Sequence, residues 1–139
     1  MRTRLHDDGG NALVEFVWLA VVLMVPVVYL MLGVFDVQRA SFGVTEAARQ
    51  AGRTWVTSGC DQQRGDRAAA LALADQHVTG MPIAWPACPR PGQERTVTVR
   101  SFVTLPGVGA LLPAHRGGIE VSGSFVAVRD AFQPATPAP

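Results

Sequence analysis

The chain has 139 residues, enough for one small domain and too few for two substantial hydrophobic cores. Its net charge is +1, with 12 basic residues, all of them arginine, against 11 acidic ones. A chain so close to neutral has no strong basic field to attract DNA or RNA, so we predict no nucleic-acid partner.

The first predicted element is a transmembrane helix. Residues 16–35 contain no charged side chain, and a helix of about 20 residues is roughly 30 Å long, the thickness of a bilayer's hydrocarbon core. A core helix of a soluble protein is the alternative, but only a larger protein could surround a helix that is apolar on every face. We therefore predict one membrane span within residues 11–35, kinked near Pro26 because proline removes a backbone hydrogen bond.

Small residues precede this apolar run rather than follow it. In a cleaved secretory signal they follow an apolar region of about 7 to 15 residues, whereas a cut after Gly10 would leave the apolar helix on the mature chain. The order of Gly10, four residues, Glu15 and Phe16 resembles the processing site of type IV prepilins. The resemblance implies a leader, residues 1–10, which a prepilin peptidase removes to leave Asn11 as the new N-terminus.

Glu15 is an acid at the edge of the apolar run, where an ionised carboxylate costs up to a few kcal/mol, and less near the interface. One hypothesis is that Glu15 neutralises the α-amino group that processing creates on Asn11, in the same chain or in a neighbouring subunit. Such a pair would set the register of an assembly. The alternative is a first-turn acid stabilised by the positive end of the helix dipole, worth about 0.3 to 1 kcal/mol.

The segment after the span, residues 33–53, resembles the corresponding segment of TadE-like proteins, which are minor pilins or pseudopilins of tight-adherence pilus systems. Asp36 and Arg39 match an acidic and basic pair of that family. Residues 47–53, Ala-Ala-Arg-Gln-Ala-Gly-Arg, match its small-residue motif. Gln50 departs from the pattern, since the family often has Glu there.

The resemblance implies a structural role in a tight-adherence type IV pilus. The implied partners are the major pilin, a companion minor pilin, the pilus platform membrane proteins and the prepilin peptidase, in a hetero-oligomer. Arginine counts on the two sides of the span do not fix its orientation. The short leader and the two cysteines favour an N-terminus in the cytoplasm and a head outside the cytoplasmic membrane, or in an extracellular pilus. Two alternatives stay open: a pseudopilin of a type II secretion system, and an uncleaved, signal-anchored extracytoplasmic binding protein.

Residues 36–56 are predicted to extend the helix beyond the membrane. Small and apolar residues recur there at helical spacing, namely Ala40, Val44, Ala47, Ala48, Ala51 and Trp55. This stripe packs against neighbouring pilin helices or covers the chain's own sheet, and a pilin-like architecture allows both. On the first interpretation an assembly contact consists of Glu15, Ala47, Ala48, Arg49 and Ala51. Glu46 and Arg49, three residues apart, can form an ion pair.

Two cysteines, Cys60 and Cys88, follow the span and lie too far apart for a C-x-x-C site. In an oxidising compartment they can form a disulfide worth about 3 to 4 kcal/mol in the chain-entropy model, and two buried free thiols are the alternative. Between them, Asp66 is a suitable N-cap for a second helix over residues 67–79, ended by Gly80.

Two strands are predicted at residues 96–104 and 119–128, because both segments are rich in β-branched residues with a period of two. They form an antiparallel pair within an extracytoplasmic head, residues 57–133. The predicted fold class is therefore α+β, with a single-pass, pilin-like N-terminal helix. The apolar loop 105–118 either caps the small core or forms an exposed contact patch, and residues 134–139 are a proline-rich disordered tail.

The sequence contains no recognisable catalytic arrangement. His6, His77 and His115 have no neighbours at metal-ligand spacing. A nucleophile elbow and a phosphate-binding glycine-lysine loop are both missing from the sequence. We therefore predict a structural protein rather than an enzyme, with no cofactor and no metal.

Overall fold

The computed structural model describes residues 11–104 and 118–132. Its first element, α1, is a single helix of 47 residues, Asn11–Thr57, which continues through Pro26. The predicted span and its extension are therefore one element. Gly59 ends it with a φ of 74°, and the N–H of Cys60 donates to the carbonyl of Trp55 at 2.8 Å. This is a Schellman cap, in which a glycine in the left-handed conformation turns the chain so that N–H groups beyond the helix donate to its last carbonyls.

The second helix, α2, spans Gln62–Asp75 and both begins and ends earlier than predicted. Asp61 is its N-cap, because its carboxylate accepts a hydrogen bond from the backbone N–H of Arg64 at 3.2 Å. The prediction that Asp66 caps this helix is wrong, since Asp66 lies inside it. A glycine within a helix costs about 1 kcal/mol relative to alanine, so the sequence favoured a start after Gly65.

Two antiparallel strands, β1 Glu94–Thr104 and β2 Gly118–Val128, form a two-stranded sheet. This confirms the predicted strand pair and the α+β class. The register pairs Val97 with Phe125 and Val99 with Gly123. Burial alternates along β1, so one face of the hairpin lies in the core and the other is exposed.

The core lies where the C-terminal half of α1 meets α2 and the inner face of the hairpin. Its buried side chains are Val44, Ala47, Ala48, Ala51, Trp55, Val56, Ala69, Leu73, Val97, Val99 and Ala127. Along α1, the first buried apolar side chain is Ala40, one turn before this cluster. The described chain is therefore a small α+β head built on one half of a long helix.

The proline-rich segment between α2 and β1 is attached to the free edge of β1. The N–H of Met81 donates to the carbonyl of Arg100 at 2.8 Å, and the hydroxyl of Ser101 donates to the carbonyl of Thr79 at 2.7 Å. Three predictions fall outside the described residues, namely the leader 1–10, most of the apolar loop (105–117) and the tail 134–139.

Candidate functional site

The N-terminal half of α1 lies outside the head. Large apolar side chains are exposed along it from Leu13 to Phe35. By length and composition the helix can cross a membrane. Soluble proteins rarely expose so large a contiguous apolar surface. This half of α1 therefore needs an apolar environment, which a bilayer or a bundle of partner helices would supply.

The residues of the predicted processing site lie at the start of α1. Gly10 is outside the described residues, and Asn11 is the first residue of the helix as described. Glu15 and Phe16 are both exposed. Both explanations of Glu15, the pair with an α-amino group and the helix dipole, stay predictions.

The spacing of Glu15 and Asn11 suits a contact between a carboxylate and a terminal amine. Residues four apart lie on the same side of a helix, separated by about 6 Å along its axis. The ion pairs among the described residues lie in the head, between Asp61 and Arg64 and between Arg100 and Glu120. Neither includes Glu15.

The predicted small-residue stripe of α1 faces the chain's own head. Ala47, Ala48 and Ala51 are completely buried in the core, as expected on the second of the two interpretations. These three residues of the predicted assembly contact are covered by the chain's own sheet and α2, so they are not exposed to another subunit. Of the predicted contact residues, Glu15 and Arg49 are exposed.

Two glycines let α1 and the hairpin approach closely. A Cβ on Gly123 of β2 would lie 2.5 Å from the carbonyl carbon and oxygen of Val44. A Cβ on Gly52 of α1 would lie 2.7 Å from the ring of Phe125. Because both distances are below van der Waals contact, the small residues of segment 47–53 have an intramolecular function: they bring the helix backbone onto the sheet.

The opposite face of α1 carries side chains that the head does not cover. Phe42 is 72% exposed, and Arg49, seven residues later, lies on the same side of the helix. The predicted Glu46–Arg49 pair is not formed, since Glu46 instead accepts a hydrogen bond from the side-chain amide of Gln50 at 2.7 Å. Sequence reasoning missed Phe42, although a large aromatic residue outside the small-residue stripe was a detectable signal.

The predicted disulfide is present between Cys60 and Cys88, whose Cα atoms are 5.8 Å apart. Beside it, the rings of Trp55 and Trp85 pack with their centroids 5.4 Å apart. The indole N–H of Trp85 donates to the carboxylate of Asp66 at 3.0 Å. Asp66 thus holds the proline-rich segment against α2, whereas the sequence had predicted it only as an N-cap.

A polar cleft lies where α1 enters the head. Asp36 and Arg39 line it together with His77 and the hairpin end Phe102–Thr104. Among the residues that the structure describes, no group of three or more His, Cys, Asp or Glu side chains could hold a metal ion. The cleft therefore places an acid, a guanidinium and an imidazole near one another without forming a metal-binding cluster.

In comparisons with known proteins, no family model matches this chain, and no curated protein or solved structure matches it significantly. The resemblance to TadE-like proteins therefore rests on the residues of the sequence itself, at positions 10–16 and 33–53.

Proposed function

We propose that this chain is a TadE-like minor pilin or pseudopilin, which takes part in the assembly or structure of a tight-adherence type IV pilus. One observation carries the proposal. α1 is an unbroken helix whose first half exposes apolar side chains and whose second half forms part of the core of a disulfide-bonded head. Such a subunit can reside in the cytoplasmic membrane by its apolar half and pass into a helical bundle without refolding.

Glu15 is the residue to which we assign the assembly register. It is exposed near the start of the apolar half, where an unpaired carboxylate is costly in lipid. Cleavage after Gly10 would create an amine on Asn11 that offsets this cost, in the same subunit or in the next. Inside a helical bundle the low dielectric strengthens the attraction between the two charges, and an unpaired carboxylate there would be strongly destabilising.

The second assigned contact is the uncovered face of α1 at the level of the head. Phe42 offers an apolar ring, and Arg49 an exposed guanidinium with no ion-pair partner among the described residues. We propose that a major pilin or a companion minor pilin packs here, with an apolar pocket for the ring and a carboxylate for Arg49. Arginine and aromatic residues are enriched among the residues that dominate binding energy at protein interfaces.

Processing is tested by the intact mass of the membrane-extracted, full-length protein, produced with and without a prepilin peptidase. The expected product lacks residues 1–10 and begins at Asn11 only when the peptidase is present. Gly10→Val should block cleavage, whereas Gly9→Val, at the neighbouring glycine, should leave it unchanged. A leader that is retained in the presence of active peptidase would overturn the pilin proposal and favour an uncleaved, signal-anchored binding protein.

The register hypothesis is tested by incorporation into pili sheared from cells. Glu15→Ala should reduce incorporation at least tenfold while the processed protein still accumulates in the membrane, since a difference of about 1.4 kcal/mol is already a factor of ten. Glu94→Ala is the matched control, because Glu94 is an exposed acid of β1 that belongs to neither assigned contact on α1. Equal incorporation of the two variants would refute the register assignment.

A further inference from the structure

One end of the head lies level with the point where the apolar half of α1 stops. Phe102 and Thr104 of β1 share the polar cleft with Asp36 and Arg39. At the other end of the hairpin, Gly52 of α1 approaches Phe125 and Ala127 of β2. The hairpin therefore runs along α1, and the last residues of β1 and the first of β2 form the end nearer the apolar half.

The position of this end relative to a bilayer follows from helix geometry. Phe35 is the last residue of the uncharged run, and Ala40, which also lines the cleft, is five residues later. At 1.5 Å per residue that separation is about 7.5 Å. The headgroup layer extends about 5 to 7 Å beyond the hydrocarbon on each side. If the run fills the hydrocarbon core, this end of the head reaches the headgroup layer.

The side chains at this end suit such a boundary. Phe102 and Ile119 are 53% and 43% exposed. They are neighbours at this end of the hairpin, since Phe102 pairs with Glu120 and the next residue, Val103, pairs with Ile119. Arg39 and His77 supply polar groups beside the acid Asp36, and Glu120 is already paired with Arg100 at 3.2 Å. Apolar side chains beside charged and polar groups match the chemistry of a membrane interface, where the apolar part of a side chain is buried and the polar part stays in water.

We infer that this membrane-proximal end, defined by Phe102, Ile119, Arg39 and His77, rests on the phospholipid headgroups while the subunit resides in the membrane. The inference builds on the proposed anchoring by α1 and adds a second lipid contact, made by the head itself. The exposed apolar side chains lie just beyond the end of the apolar run, at the level of the headgroup layer, which is why lipid is the occupant assigned here. Docking would fix the tilt of the head before a partner subunit binds.

Photo-crosslinking of the full-length protein in phosphatidylcholine vesicles tests this contact. Phe102 or Ile119 is replaced by p-benzoylphenylalanine, and lipid adducts are read from the intact mass after irradiation. Val126 and Val128 are matched controls because they are 49% and 57% exposed on the same hairpin. Val126 pairs with Thr96, six residues before Phe102, so it lies about 20 Å farther along the sheet.

We expect adduct yields at positions 102 and 119 at least about fivefold above those at 126 and 128, because photochemical contact requires the residue to touch lipid. Equal yields at all four positions, in protein that floats with the vesicles, would overturn the docking of the head while leaving the anchor intact. Protein that fails to float would overturn the proposed anchor and this inference together. Formation of the Cys60–Cys88 disulfide in every variant confirms that the head is folded.

Discussion

Gly123→Ala tests the close approach of β2 to α1. A Cβ at this position would lie 2.5 Å from the carbonyl group of Val44 and 2.6 Å from the amide nitrogen of Thr45, whereas ordinary contact begins at 3.4 Å. Helix and strand would therefore have to separate by about 0.9 Å, and backbone atoms cannot rotate away as a side chain can. Overpacking of this kind costs about 1 to 3 kcal/mol, and the rigid contact favours the upper value.

A compensating term acts in the unfolded state. Replacing glycine by alanine reduces the conformational entropy of the unfolded chain, which stabilises the fold by about 0.4 to 1 kcal/mol. The net destabilisation expected for Gly123→Ala is therefore about 2 kcal/mol. In a domain of this size 1 kcal/mol shifts Tm by about 4 to 8 °C, so Tm should fall by about 8 to 16 °C.

The assay is thermal unfolding of the oxidised, full-length protein in detergent, followed by near-ultraviolet circular dichroism. This signal reports the packed Trp55–Trp85 pair, whereas the far-ultraviolet signal is dominated by α1. Gly118→Ala is the matched control on the same strand, because its Cβ would meet no atom closer than 3.5 Å. A Tm for Gly123→Ala within about 2 °C of that control would refute the close approach of helix and sheet.

Three further predictions concern the disulfide, the cap of α2 and the uncovered face of α1. Replacing both Cys60 and Cys88 by alanine should lower the free energy of unfolding by about 3 to 4 kcal/mol, and a loss below about 1 kcal/mol in denaturant titrations would contradict a structural role. Asp61→Ala should cost about 1 kcal/mol through loss of the N-cap, with Asp61→Asn, which keeps an acceptor, close to wild type in the same titration. Phe42→Ala should change stability by less than about 0.5 kcal/mol yet reduce incorporation into pili, whereas Leu71→Ala, at an equally exposed residue of α2, should change neither.

Local patterns in the sequence were sufficient for the elements themselves. The uncharged run predicts a helix that needs no tertiary partner to be recognised, and period-two β-branched residues predict both strands to within a few residues of their observed ends. A sequence with only two cysteines leaves a single possible disulfide, so Cys60 and Cys88 were the predicted pair. These features depend on composition and periodicity within a short window, which is the information that a sequence displays directly.

Tertiary structure decided which surface each pattern serves. The stripe of Ala47, Ala48 and Ala51 could pack against a neighbouring helix or against the chain's own sheet. It packs against the sheet, because Gly123, more than seventy residues away, lets β2 approach the backbone of α1. Asp66 was predicted to cap α2, yet it lies inside the helix, where its carboxylate accepts a hydrogen bond from the indole N–H of Trp85, whose ring packs over Gly65. Long-range contacts of this kind have no local signature, because the energy that selects between two acceptable local structures comes from partners distant in the chain.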